Sequence, residues 1–480
     1  MSNLALTPPQ SDLDVAPLLL PAVVLRNDAQ ALSAAHELAQ AARVQAAKRD
    51  QQRKLPWAQI EQFTRSGLGS ISIPREYGGP QVSFTTLAEV FAIISAADPA
   101  LGQIPQNHFG ILHLLQGAAT ERQKKQLFQS VLDGWRIGNG GPERGTKNTL
   151  ELKARISAEG DGYVISGQKF YSTGALFAHW VAVKALNDDG KQVMAFVRRG
   201  TQGLRIVDDW SGFGQRTTAS GTVLLDRVPV DAELVVENWR LGQSPNIQGA
   251  VSQLIQAAID AGIARGALDD TIAFVRERSR PWIDAKVERA SDDLYVIADI
   301  GKLKIELHAA EALLRKAGQV LDQVSAAPIT AQSAARASIA VAEAKVLTTE
   351  VSLLASEKLF ELAGSRATLA EFNLDRHWRN ARVHTLHDPV RWKYHAVGAY
   401  RLDLTAQNTF STRFWRTPMT LSTHVALITS DEQALIVASD LAEDLRRDSA
   451  QRDSERRLPL PELDVFSRSG LWGISVPKAY

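Results

Sequence analysis

Gly167-Gln168-Lys169-Phe170-Tyr171-Ser172-Thr173-Gly174 stands in the middle third of a 480-residue chain and sets two aromatic rings beside two hydroxyls, between glycines. Around it the texture is that of strands. Leu150 to Ser157, Tyr163 to Ser166, Trp180 to Leu186, Val193 to Val197 and Thr222 to Leu225 are short β-rich runs separated by Gly, Asp and Asn turns. Further out, on both sides, the period changes to that of helices. Before it, Asp28 opens an Ala/Leu/Gln pattern predicted to run as one helix to about Asp50, and Thr85 to Ala97 and Thr120 to Leu132 repeat apolar residues at helical spacing. After it, the Ala-rich stretches Ala258 to Val275, Leu294 to Val324 and Ala331 to Leu362 predict long helices that pack closely as a bundle.

Helices, then strands, then a bundle is an α+β order, without the alternating units of a nucleotide-binding parallel sheet. No GxGxxG follows a strand into a helix and no GxxxxGK[ST] occurs, so neither dinucleotide nor P-loop binding is expected of this chain. The expected organisation is an N-terminal extension (1–24), an N-terminal helical domain (25–134), a central β domain (135–240), a C-terminal helical bundle (241–405), a linker (406–423) and a tail (424–480). The tail has an internal origin. A shift of 403 lays Asp28-to-Tyr77 on Asp431-to-Tyr480 without a gap, with about 23 of 50 positions identical, among them Arg49-Asp50 on Arg452-Asp453 and Leu55-Pro56 on Leu458-Pro459. We read the tail as the opening of a second copy; the plainer alternative is an appended interaction helix pair.

Composition narrows the function. With 45% hydrophobic and 22% charged residues the chain has the make-up of a large globular protein. Its 54 basic and 53 acidic side chains leave a net charge of +1, which gives no field to gather nucleic acid or an anionic membrane. Absence of cysteine removes disulfides, thiolate metal sites, iron–sulfur clusters and cysteine nucleophiles. The apolar run Ala16 to Leu25 carries Pro17 and Pro21, is too short to span a bilayer and follows no basic segment, so a cytoplasmic protein is expected.

Three patterns could carry chemistry. In Gly167 to Gly174 an aromatic ring and a hydroxyl could hold a flat aromatic cofactor, although a strand ending in a turn would look the same. Arg276, Arg278 and Arg280 before Pro281-Trp282, with Gly364-Ser365-Arg366, suit a phosphate, or else a solvated charged face. Asp375-Arg376-His377-Trp378-Arg379-Asn380-Ala381-Arg382-Val383-His384-Thr385-Leu386-His387-Asp388-Pro389 is dense in ionisable and aromatic groups. His384 and His387 would share a face if helical. No third ligand is marked out, so no metal is assigned; proton transfer and an ordinary core or surface histidine both remain open.

The order of blocks, with Arg75-Glu76-Tyr77-Gly78-Gly79, the Gly167-to-Gly174 pattern, Ala261-Gly262-Ile263-Ala264-Arg265-Gly266-Ala267-Leu268 and Arg382 to Pro389, resembles the acyl-CoA dehydrogenase superfamily over about residues 25 to 405. Arg280-Pro281-Trp282, Trp378-Arg379-Asn380 and His387-Asp388-Pro389 look like its flavin-dependent monooxygenase branch, that of dibenzothiophene monooxygenase and the sulfur-acquisition oxidoreductases. The resemblance implies the three-block fold assembled as a homotetramer. It implies flavin, FMN rather than FAD, contacted by Asn139, Tyr171, Thr173 and Trp210, with Arg280 and Arg366 of a neighbouring subunit on the phosphate.

Dehydrogenases of the superfamily commonly carry a glutamate base in this part of the bundle; here the aligned setting is His387-Asp388-Pro389. In the monooxygenase branch that histidine is thought to form and hold the C4a-(hydro)peroxyflavin made from FMNH2 and O2, with His384 as its neighbour. Where the dibenzothiophene enzymes have a histidine and a tyrosine after the Gly-Gly turn, this chain has Gln103 and Asn107, followed by His108, which implies a more polar substrate pocket. The expectation is a two-component monooxygenase fed by a separate NAD(P)H-dependent flavin reductase, acting on a small organosulfur compound. The competing readings are an acyl-CoA dehydrogenase with a displaced base and a non-catalytic flavin-binding or assembly subunit.

Overall fold

The computed structural model describes residues 17–148, 151–402, 428, 430–447 and 460–471. Contacts divide the chain into two compact units, Met1–Phe414 and Trp415–Tyr480. The expected linker, residues 1–16 of the extension, Leu150, and Arg452-Asp453 and Leu458-Pro459 of the repeat lie outside the described residues.

The first unit opens with seven helices, α1 (Asp28–Arg43), α2 (Ala46–Gln52), α3 (Trp57–Arg65), α4 (Phe84–Ala97), α5 (Pro99–Gln103), α6 (Gln106–Ala118) and α7 (Glu121–Leu132). The single helix expected from Asp28 to Asp50 is thus two. A helix end needs donors for its last carbonyls. The buried Arg49 guanidinium supplies one, donating to the Ala42 carbonyl at 2.5 Å while pairing with Asp98 Oδ2 at 2.7 Å. Asp98 also caps α5, its Oδ1 accepting the Leu101 N–H at 3.2 Å with Pro99 in the first turn. This junction sets Gln103 at the end of α5.

Eight strands form one sheet: β1 (Ile137–Gly140), β2 (Arg155–Glu159), β3 (Gly162–Lys169), β4 (Trp180–Leu186), β5 (Gln192–Arg198), β6 (Leu204–Val207), β7 (Thr222–Asp231) and β8 (Val235–Val236). The order is β6-β7-β3-β2-β4-β5-β8, with β1 paired parallel to β4. β1, β6 and β8 are outside the expected runs, because segments this short show no alternation to read.

The bundle consists of α8 (Gln248–Glu277), α9 (Leu294–Ser325), α10 (Ala331–Ala363) and the shorter α11 (Asp375–His384) and α12 (Arg391–Arg401). α8 is buried over most of its length and packs against α4, α9 and α10. A Cβ on Gly262 would lie 2.5 Å from the Ala92 carbonyl oxygen, and one on Gly266 2.5 Å from that of Ala96. α4 and α8 therefore meet backbone to backbone, which small residues alone permit.

The second unit contains α13 (Asp431–Arg447) and α14 (Leu460–Arg468), which at the offset of 403 fall on α1 and α3. Ser430 Oγ accepts the Gln433 N–H at 3.1 Å, as Asn27 Oδ1 accepts that of Gln30 at 3.0 Å. Gly470 takes φ 82°, as Gly67 takes 80°. One difference is that Leu463 is 48% exposed where its counterpart Ile60 is 1% exposed. Among the described residues no helix is long and apolar enough to cross a membrane.

Candidate active site

α11 carries the histidine segment, and Arg379 fastens it on two sides. The guanidinium holds both oxygens of Asp50 on α2, at 3.2 and 2.7 Å, and donates to the Phe213 carbonyl at 3.1 Å. Asn380 Oδ1 accepts the Gln215 N–H at 2.7 Å, and the Trp378 ring stacks on Phe213 at 6.0 Å. The loop comes so close that a Cβ on Gly214 would stand 1.9 Å from the Arg379 carbonyl oxygen. The Trp378-Arg379-Asn380 triplet is therefore the joint between α11 and the β domain.

Four elements converge at the end of α11. Asp260 of α8 and Lys345 of α10 are both fully buried; Asp260 Oδ2 accepts from Lys345 Nζ at 2.5 Å and from Thr349 Oγ1 at 2.8 Å. The second oxygen, Oδ1, is 2.5 Å from His384 Nδ1. On the opposite side of that buried ring, Nε2 meets Gln103 Oε1 at 3.0 Å, and Gln103 Nε2 lies 3.3 Å from His387 Nε2. His387 Nδ1 returns to the His384 carbonyl at 2.7 Å.

Burial would raise the Asp260 carboxyl, but Lys345 and His384 outweigh it and hold it well below the ordinary carboxylate range. Burial lowers His384, against the pull of Asp260. Crowding by protein pushes His387 down as well, to about 4, with repulsion from His384 adding to it. Since the His387 residue is exposed, water reaching its ring makes that displacement smaller than full burial would. Asp260 and Lys345 were not singled out from the sequence, although each is one charge in an apolar run, Ala257-Ala258-Ile259-Asp260-Ala261 and Ala344-Lys345-Val346. A buried charge in such a run requires a partner.

A second group forms at the β1 and β3 ends. Asn139 Nδ2 donates to the Tyr171 carbonyl at 3.2 Å, and the Asn139 N–H to that of Thr173 at 3.1 Å. Tyr171 takes φ 58°, a left-handed conformation that costs a side-chain-bearing residue about 1 kcal/mol and leaves its ring half exposed. A hydrogen bond of 2.6 Å joins Thr173 Oγ1 and Ser220 Oγ. Trp210 stands edge-on to Tyr171 at 6.2 Å, its Nε1 donating to the Gln215 carbonyl at 2.9 Å. Nearby in the chain, Ser172 Oγ and both side-chain polar atoms of Gln215 are buried without hydrogen-bond partners. The half-exposed Tyr171 ring, with unspent polar atoms near it in the chain, suits a flat heteroaromatic ring with polar edges.

The remaining candidates separate. Gln103 is buried in the histidine cluster, and Asn107 is half-buried in the first turn of α6. His108 is buried with both nitrogens on backbone: Nδ1 accepts the Ile137 N–H at 3.0 Å and Nε2 donates to the Gly69 carbonyl at 2.7 Å. Neither nitrogen is left for a ligand. Arg280 and Arg366 are exposed at the ends of α8 and α10, which the Ser279 hydroxyl ties together by donating to the Ala363 carbonyl at 2.9 Å.

The acyl-CoA dehydrogenase N-terminal domain matches residues 27–135 and the acyl-CoA dehydrogenase C-terminal domain residues 254–392. Dibenzothiophene monooxygenase of Rhodococcus erythropolis is 31% identical over 392 residues, 78% of this chain and 94% of the relative. FMN-bound TdsC from Paenibacillus sp. A11-2 superposes with a TM-score of 0.74 at 31% identity, over 78% of this chain and 97% of its own. Methanesulfinate monooxygenase MsuC from Pseudomonas fluorescens gives 0.73 at 27% identity, over 79% and 99%. With its helices, sheet and bundle in that family's order, the chain belongs to the acyl-CoA dehydrogenase family, in the branch of the dibenzothiophene monooxygenases.

Proposed function

We propose that this chain is a two-component monooxygenase that takes FMNH2 from a separate NAD(P)H-dependent flavin reductase and transfers one atom of O2 to a small organosulfur compound. Its relatives act on organosulfur compounds and one holds FMN, which supports the substrate class and the cofactor. The observation that carries the reading is the His387 imidazole among carboxylates already spent. Asp260 is held by Lys345, and Asp388, next to His387, is held by Lys393 at 2.5 Å. A dehydrogenase needs a carboxylate free to take a proton from carbon; the proton-transfer group offered here is an imidazole.

Reduced FMN, when bound, supplies the electrons that activate O2. The residues that would hold its ring are Asn139, Tyr171, Thr173 and Trp210, with Arg280 and Arg366 of a neighbouring subunit in a homotetramer on its phosphate. His387 Nδ1 is committed to a carbonyl, so Nε2 is the atom at which this residue takes or gives a proton. Asn107 gives the substrate pocket a polar wall, while Gln103, expected there too, is spent on the two histidines.

The test is to reduce the FMN-loaded protein without air, mix it with isotope-labelled O2 and analyse the product of an added sulfide or sulfinate. One labelled oxygen atom in the product is expected. Reduction of the bound flavin by an acyl-CoA in the absence of O2 would replace this reading by dehydrogenation.

A further inference from the structure

We propose that Gln103 makes His384 and His387 share a single proton between their Nε2 atoms, so that one ring is protonated there and the other is bare. The inference deepens the oxygenase reading, on which it rests for its use in catalysis, but its geometry stands apart from flavin.

The argument is a count of donors and acceptors around two rings. His387 Nδ1 lies 2.7 Å from a backbone carbonyl, which only accepts, so Nδ1 carries hydrogen. His384 Nδ1 lies 2.5 Å from a carboxylate oxygen whose fellow oxygen already accepts from Lys345 and Thr349, so it carries hydrogen too. The two Nε2 atoms both face one primary amide, at 3.0 and 3.3 Å. An amide presents an acceptor on one side and a donor on the other. The nitrogen facing its oxygen must be protonated and the nitrogen facing its NH2 must not.

Turning the amide over exchanges the two rings and leaves the count unchanged. Three hydrogens therefore sit on four ring nitrogens. The side chain is 2% exposed, so water does not readily take its place as the bridge.

The charged groups facing the pair are Asp260 from α8 and Lys345 from α10, which balance one another, while the Asp388–Lys393 ion pair follows His387 in the chain. The shared proton is thus an uncompensated positive charge, in a dry place when it sits on the fully buried His384. Burial and the nearby Lys345 charge loosen it against the pull of Asp260, and a weakly held proton is readily given up. When it leaves, Gln103 Oε1 faces a bare nitrogen and the bridge opens at one end. In this arrangement Gln103 is a positioning residue, and His384 is the store from which His387 Nε2 is recharged.

The test is a pH titration of the flavin-free full chain by nitrogen NMR, with labelled imidazoles and with His384→Gln and His387→Gln used for assignment. Both Nδ1 atoms should stay protonated while the two Nε2 signals move together in one step. Gln103→Leu should split that step into two separated midpoints. Gln103→Glu, whose carboxylate accepts from both rings, should hold both Nε2 protons to a pH higher by about one unit or more. Two separate steps in the parent, or a parent and Gln103→Leu that titrate alike, would overturn the proposal; if the variants do not fold, the parent's titration decides. A shared step together with normal oxygenation by His387→Phe would remove the catalytic role and leave the shared proton standing. Separate steps with oxygenation lost in His387→Phe would do the reverse.

Discussion

His108 Nδ1 accepts the backbone N–H of Ile137 at 3.0 Å, and one residue earlier His179 Nδ1 accepts that of Arg136, also at 3.0 Å. Two neutral imidazoles thus hold the start of β1. A protonated ring has no lone pair to offer, so each bond exists only while its histidine is neutral. Burial lowers His108 from 6.5 to about 4, with the nearby Arg136 charge adding to the effect. A depressed value means that the unfolded chain binds this proton first, so the stabilisation is full above pH 6.5 and is lost as pH falls towards 4. For His108 the loss is on the order of 3 kcal/mol. Melting curves between pH 7.5 and 4.5 check this, and His108→Gln should be less stable at neutral pH but flatter across the range. An equal slope in parent and variant would remove His108 from the account.

His387→Phe keeps a planar ring and removes both nitrogens. Flavin binding should survive, while turnover falls by about a hundred- to ten-thousand-fold, the range of one positioned proton-transfer contact. Rapid-mixing kinetics with FMNH2 and O2 measure it. His384→Phe should also be less stable, since it strips Asp260 Oδ1 and Gln103 Oε1 of the buried contact that the His384 ring supplies.

Arg280→Ala or Arg366→Ala should weaken FMNH2 binding by about 1.5 to 3 kcal/mol, the scale of a charge-assisted contact. Anaerobic titration gives the value. The oxidised form should bind more weakly than the reduced one in every variant, because a protein fed by diffusion has to capture FMNH2 before free O2 consumes it. If both variants bind as the parent does, the phosphate assignment falls.

Deleting residues from about 424 onward should leave folding and oxygenation intact, because helices, sheet and bundle all precede that point. The melting temperature should move by no more than about 2 to 4 °C, the scale of 1 kcal/mol in a domain of a few hundred residues. A truncation that does not fold would make the partial repeat part of the structure.

Local signals in the chain lead to many of these elements. Thr120 with Gln123 caps α7, and the Ala-rich period gives α8 to α10. The break between α1 and α2 escaped because its cause is Asp98, about fifty residues away, which recruits Arg49. The histidines were visible as a dense segment, but their environment was not: Asp260 is 124 positions from His384 and Gln103 is 281. Such contacts depend on how α5, α8 and α10 meet. The same holds for His108, where spacing could not distinguish a pocket wall from a backbone clamp.

Arg379 has a consequence for inheritance. Its guanidinium answers to Asp50 in the first block and to Phe213 in the second, while its helix belongs to the third and ends in His384. The histidine segment is thus aimed by parts of all three blocks. A chimera that exchanges the sheet alone between two relatives would alter the Phe213-to-Gln215 loop against which α11 rests, and so misdirect the histidines without touching them. Exchanging the sheet together with α2 and α11 keeps the joint matched, and that set, rather than any one domain, is the unit in which the histidine segment can be exchanged among relatives.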